Sequence, residues 1–292
     1  MVGRGELTDA AWARIAPLLP SNGNRGGQWA AHRPVINGIL WRLRTGAPWR
    51  DMPERYGPWQ TCYDRFVHWR CDGTWDRLLT QVQTKSDAVG AIVWEVSVDS
   101  TVTRAHQHAA GARRQSSRAD KKGIVHPADE ALGRSRGGVT TKVHLSSDGK
   151  GRPLSIVLTA GQRHDSTQLA PVLDAIRVPR PSGRGRPRKR PERVIGDKGY
   201  SYPACRRELR RRGIAATIPE RRDQRARRAR RPGRPLAFEA VVYKRRNVVE
   251  RCMNRLKQWR AVATRYEKRA VNYRATVVIA ALMLWLDSSD TP

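Results

Sequence analysis

The order of apolar patterns after residue 90 constrains this chain more than any other feature. "IVWEVSVDS" is a β-rich run, and "TTKVHLSSD" and "RPLSIVLTAG" repeat the strand period, with a tight turn at Gly149 to Gly151 between the last two. A meander of three strands follows. The pattern then switches: "DSTQLAPVLDAI" reads as a helix capped by Asp165 or Ser166, "RVIGDKGY" as a short strand stopping at Asp197, "PACRRELRRRG" as a helix and "IAATIPE" as a fifth strand. A mixed α/β sheet with flanking helices accommodates that sequence of elements. The expected order closes with a helix, "YKRRNVVERCMNRLKQWR", over residues 243 to 260.

The first eighty or so residues are of another kind. They hold seven of the ten tryptophans in short helical patterns punctuated by Gly and Pro. Thr8 or Asp9 can cap "AAWARIAPLL", Gly46 ends "RPVINGILWRLRTG", and Gly73 ends "WQTCYDRFVHWRCDG". The expected division is therefore a helical, Trp-rich unit over residues 1–88 and an α/β unit over 89–292. In the third helix Arg65, His68 and Arg70 have the placement of residues that face nucleic acid in a helix-turn-helix-like unit, and a Trp-stapled dimerisation bundle explains the same pattern.

Charge narrows the partner. Lys and Arg number 57 against 26 Asp and Glu, a formal charge of +31, and a field of that sign favours a polyanion such as DNA. Three polar or basic segments, about 103–138, 178–193 and 220–237, interrupt the pattern and read as loops. Because the two basic runs, about 178–193 and 220–237, are internal and flanked by expected strands or helices, they suit clamps on a phosphate backbone, with Arg184, Arg186, Arg188, Lys189 and Arg190 the densest group. His106 and His108 lie in the first of the three segments without acidic or Cys companions, which favours contact with DNA over zinc. Four cysteines without a C-x-x-C pair argue against a disulfide framework or structural zinc. The N-terminus lacks a signal-peptide core, and "VVIAALMLWL" is too short to cross a bilayer. The expectation is a soluble cytoplasmic protein with no membrane partner.

Chemistry gathers on three carboxylates. Asp99 ends the first strand, Asp197 ends the fourth, and Glu250 lies on the late helix. There Tyr243, Arg246, Glu250 and Lys257 share a strip roughly 60° wide at the border of the apolar face. Arg246 and Glu250 alone are explained by an ordinary i, i+4 ion pair. Three convergent carboxylates repel one another unless a cation neutralises them, and a hard divalent ion held by oxygen donors beside substrate phosphates does so. Lys198, next to Asp197, is placed to touch DNA beside such ions. Asp165 reads as a cap.

"VDSTVTRAHQHAAGAR", "GRSRGGVTTKVHL", "GQRHDS", "VIGDKGY" and Tyr243-x2-Arg246-x3-Glu250-x6-Lys257 resemble bacterial insertion-sequence transposases of the DDE type, in the family named insertion sequence five. The similarity spans nearly the whole chain, including "LTDAAWARIAPLLP" and "GAPWRDMP". It implies a ribonuclease-H-like core in which Asp99, Asp197 and Glu250 bind two Mg²⁺ ions, Mn²⁺ being the substitute. It implies cleavage of transposon ends and joining of 3′-hydroxyls to target DNA, by a homodimer or higher oligomer on the terminal inverted repeats. A non-catalytic nucleoid protein or an inactive remnant is the competing expectation.

Overall fold

The computed structural model describes residues 5–21, 28–112, 130–135, 137–230 and 238–287. Four helices come first, α1 (Asp9–Ile15), α2 (His32–Thr45), α3 (Trp59–Cys71) and α4 (Thr74–Ala88). Thr8 caps α1 by accepting from the Ala11 amide. Gly46 closes α2 at φ 70°, a left-handed conformation that a side chain would strain. Asp72 rather than Gly73 ends α3; Gly73, at φ 77°, starts α4.

Among the described residues seven strands form one sheet, where five were expected: β1 (Glu95–Ala105), β2 (Gly133–Ser135), β3 (Gly138–Ser147), β4 (Pro153–Ala160), β5 (Arg193–Ile195), β6 (Ala215–Thr217) and β7 (Thr264–Arg265). The five longer-range partners follow the order β4-β3-β1-β5-β6. The first three are antiparallel, and β5 and β6 run parallel to β1. Three antiparallel strands followed by two parallel ones make the ribonuclease-H-like mixed sheet. The additional strands are short: β2 pairs with the start of β3, and β7 with Arg104 and Ala105 of β1.

β1 corrects one expectation. It does not stop at Asp99, because Thr101, Val102 and Thr103 are β-branched and continue the ladder opposite Val143, Lys142 and Thr141. Asp99 therefore lies within the strand. It stands just beyond the three residues paired with β5 and before the two paired with β7, where no described strand takes that edge.

The remaining helices are α5 (Gln107–Ala110), α6 (Leu169–Asp174), α7 (Pro203–Arg211), α8 (Arg222–Ala229), α9 (Ala240–Lys244), α10 (Asn247–Lys257), α11 (Arg260–Ala263) and α12 (Ala270–Asp287). The segments expected as loops thus contain regular pieces: the end of β1, α5 and β2 in 103–138, and α8 in 220–237. Residues 113–129, 136 and 231–237 of those segments lie outside the described residues. The helix expected over 243–260 is broken. Its ladder tightens at Arg245 and Arg246, whose amides reach back three residues to Val242 and Tyr243. The same two arginines reach Glu95 and Asp99, four residues apart on β1.

One continuous core joins the early helices to the sheet, with Trp69, Trp75 and Trp285 among its largest buried side chains. α4 packs on α12 and α2 on α11. Polar contacts cross the same seam: Arg14 donates to the Leu286 carbonyl at 3.0 Å, Gln83 to that of Pro153 at 3.0 Å, and Arg274 grips both oxygens of Asp76 at 2.7 and 2.9 Å. Helix α12 is long and apolar enough to cross a membrane, but 78% of that apolar window is buried inside the protein. Its hydrophobicity is satisfied by the core.

Candidate active site

Alternation along β1 puts Asp99 on the sheet face against which α10 packs. One carboxylate oxygen accepts from the Ser100 amide at 2.8 Å, and the other from Arg246 Nη1 at 3.1 Å. The second guanidinium nitrogen of Arg246 donates to Glu250 Oε1 at 2.5 Å. A single cation thus spans two carboxylates from different elements. The i, i+4 pair anticipated on the late helix exists, and it is half of a three-residue bridge.

Asp197 follows β5 by two residues and caps the short turn Lys198–Tyr200, accepting from the Gly199 amide at 2.8 Å. Glycine at 199 suits this approach, since a Cβ there would stand 2.9 Å from Asp197 Oδ1. Burial pushes the Asp99 carboxyl above the usual range. The Ser100 amide and Arg246 oppose the shift, while the negative charges of Asp197 and Glu250 add to it. The three carboxylates therefore share one electrostatic neighbourhood.

Among the described residues no three His, Cys, Asp or Glu side chains stand close enough to form a ready ligand cluster. The donor chemistry nonetheless fits a hard divalent cation. Every donor in the neighbourhood is a carboxylate oxygen, two of the three groups are already aimed by backbone amides, and the half-buried Asp99 is stabilised as an anion only by cationic or N–H partners.

The other expected residues fall in several places. Tyr243 is half-buried, its ring 5.5 Å from Phe238. Lys257 is half-buried in the last turn of α10, and Lys198 is exposed beside Asp197. His106 and His108 meet edge to face, ring centres 4.5 Å apart, beyond the far end of β1, and His106 also meets the Tyr266 ring at 5.1 Å. Arg184, Arg186, Lys189 and Arg190 are exposed.

Four expectations about side chains are corrected. Arg65 does not face solvent: it is 6% exposed, lies 4.4 Å from Trp29 and 5.1 Å from Trp69, and contacts His32 Nδ1 at 2.6 Å. Position 65 falls on the face of α3 that buries Cys62, Phe66 and Trp69. Arg70 is half-buried, donating to Cys71 Sγ at 2.9 Å. Arg188 turns inward onto the Trp94 ring at 4.0 Å and pairs with Glu192 at 3.1 Å and Asp87 at 3.7 Å. Asp165 caps nothing; the His164 side chain accepts from the Ser166 amide in its place. Asp165 instead binds Ser100, the neighbour of Asp99, at 2.8 Å. Its signal was the "HDS" at the end of the third long strand, hidden by the frequency with which Asp caps helices.

Two family models match the chain. Residues 7–79 match "Putative transposase of IS4/5 family", and residues 94–286 match "Transposase DDE domain". The chain is 39% identical over 130 residues to "Putative transposase for insertion sequence element IS402" of Burkholderia cepacia, a match covering 44% of this chain and 55% of that protein. It therefore spans about half the length of that relative. It is 38% identical over 110 residues to "Uncharacterized protein y4sN" of Sinorhizobium fredii, covering 37% of this chain and 83% of the other. Among solved structures, the Mos1 strand transfer complex aligns over 91% of this chain and 79% of that one, at 14% identity and a TM-score of 0.26. The fold assignment rests on the strand order and not on that alignment.

Proposed function

Because this chain belongs to the transposases with a DDE domain, we propose that it cuts DNA at the ends of its own element and joins the freed 3′-hydroxyls to target DNA, with Asp99, Asp197 and Glu250 as its catalytic carboxylates. The observation that carries this reading is the Arg246 guanidinium held between Asp99 and Glu250, beside a third carboxylate whose charge reaches Asp99. Three acidic side chains drawn from a strand, a turn and a helix serve no evident packing purpose.

Asp99, Asp197 and Glu250 would hold two Mg²⁺ or Mn²⁺ ions, which supply activation of the attacking oxygen and neutralisation of the leaving one. The remaining work belongs to the chain. The amides of Ser100 and Gly199 fix the directions of Asp99 and Asp197, so less side-chain entropy is lost when their oxygens are used. Arg246 offsets repulsion between Asp99 and Glu250 with both of its Nη atoms, and its guanidinium fork is proposed to turn to a DNA phosphate when one enters the site.

The rest of the surface suits a polyanion. Lys198, Arg184, Arg186, Lys189 and Arg190 are exposed. α8, with no buried residue, carries Arg222, Arg225 and Arg227 on its surface. These are proposed contacts to the DNA backbone at inverted repeats and target. An element has two ends, which suits a homodimer or higher oligomer acting on the bacterial nucleoid. The test is to incubate the purified protein and Mg²⁺ with a plasmid carrying both ends of the element. Breaks at the element boundaries bearing 3′-hydroxyls are expected. Binding without any strand break would instead mark a non-catalytic packing protein.

A further inference from the structure

Asp165 sits on the opposite face of the sheet from Asp99, and its surroundings exceed those of a surface acid. Ser100 and His144 are register partners, and Lys142 lies two residues from His144, so all three side chains share that face. All three turn to Asp165 Oδ1: Ser100 Oγ at 2.8 Å, Lys142 Nζ at 3.0 Å and His144 Nδ1 at 3.8 Å. His144 is fully buried, and its Nδ1 has no hydrogen-bond partner among the described residues. Ser100 links the two faces, because its hydroxyl donates to Asp165 while its amide donates to Asp99.

We propose that Asp165 is a positioning residue of the catalytic centre: through the Ser100 hydroxyl it fixes the strand segment whose amide aims Asp99, and Lys142 holds Asp165 in place. The unpaired edge of β1 explains the need. Among the described residues, β1 pairs with β3 alone between its β5 and β7 pairings, so no second ladder holds the backbone at Asp99. Tyr200 supports the convergence. It is 2% exposed, and burial, together with the charges of Asp165, Asp99 and Asp197, keeps its phenol protonated. The charges of all three carboxylates thus act on one buried phenol.

The inference rests on the transposase reading and is tested on the full chain with Asp165→Ala, Ser100→Ala, the double variant and Asp165→Asn. Two properties are followed: cleavage of end-bearing DNA, and the Mn²⁺-induced rise in Tm of the DNA-free protein. Each alanine variant should lower the cleavage rate about 10- to 100-fold and raise the Mn²⁺ needed for half the thermal shift by a similar factor. DNA affinity and metal-free Tm should stay unchanged. The double variant should be no worse than the weaker single one, because both break the same connection. Asp165→Asn, whose amide oxygen still accepts from Ser100, should recover part of the loss, and it carries the test if Asp165→Ala fails to fold. Normal cleavage and Mn²⁺ response by the Asp165 variants overturns the proposal. So do losses that multiply in the double variant, or losses that track a lowered metal-free Tm. A wild type that binds ends but never cuts refutes the transposase reading instead, and the Mn²⁺ response then still decides the role of Asp165.

Discussion

Burial holds the His144 imidazole down at about 4, with the Lys142 charge acting in the same direction and Asp165 opposing both. Above its ordinary value of 6.5 the ring is neutral in both folded and unfolded chains. As pH falls from there toward about 4, the unfolded chain takes up a proton that the folded one refuses, so stability is lost through that window and levels off below it. The loss approaches about 1.4 kcal/mol per pH unit. Urea midpoints of His144→Gln should therefore fall less steeply than those of the wild type between these limits; parallel curves would show that His144 is not held neutral. At this scale the sequence revealed residue types and some neighbours. Arg246 to Glu250 was legible because helical spacing dictates it. The Arg246 contact to Asp99 spans 147 positions, and local spacing cannot supply it. Arg65 was misread because an arginine on the buried face of α3 needs Trp29 to shelter it, and Trp29 lies far outside that helix.

Among the elements, α2 depends on close approach. A Cβ at Gly38 would come within 2.9 Å of Cys62 Sγ, Met52 Sδ and Tyr56 Cβ. Gly38→Ala should therefore destabilise the protein by about 1–3 kcal/mol through overpacking, although alanine in a solvent-facing helix stabilises by about 1 kcal/mol. Chemical denaturation decides between the two signs. The loop before β5 makes a different prediction. Neutralising Arg184, Arg186, Lys189 and Arg190 should weaken binding to all DNA alike, and lower the salt-dependence slope by up to about 0.9 for each phosphate that is no longer neutralised. Arg188→Gln, which removes a buried stack, should lower Tm instead. A weakening confined to one DNA sequence would mean base readout. Five of the seven strands and their order along the chain were legible here because β-rich runs alternate with capped helices; β2 and β7, three and two residues long, were not. The length of β1 and the break at Arg245 and Arg246 were not, since β3 extends the one and contacts to Glu95 and Asp99 accompany the other.

For the whole molecule, the division at residue 88 is visible in composition, but the described fold places no gap there. Arg42 of α2 and Glu267, just before α12, pair at 2.5 Å with side chains 6% and 7% exposed. Such a buried pair strands an uncompensated charge when either side is removed. A fragment of residues 1–88 should therefore remain unfolded by circular dichroism and amide exchange; a cooperative thermal transition in that fragment would show an autonomous domain. The early helices and the sheet share one hydrophobic core, and Asp99, Asp197 and Glu250 are held on that fold from three separate elements. That placement underlies the central claim, and one measurement addresses it most directly. Cleavage of end-bearing DNA and affinity for the same DNA are measured side by side for Asp99→Asn, Asp197→Asn and Glu250→Gln. Each variant should lose cleavage entirely while binding as tightly as the wild type, because each replaces a carboxylate proposed to hold metal and leaves the proposed phosphate contacts intact. Near-normal cleavage by any one of the three would remove that residue from the site and contradict the account.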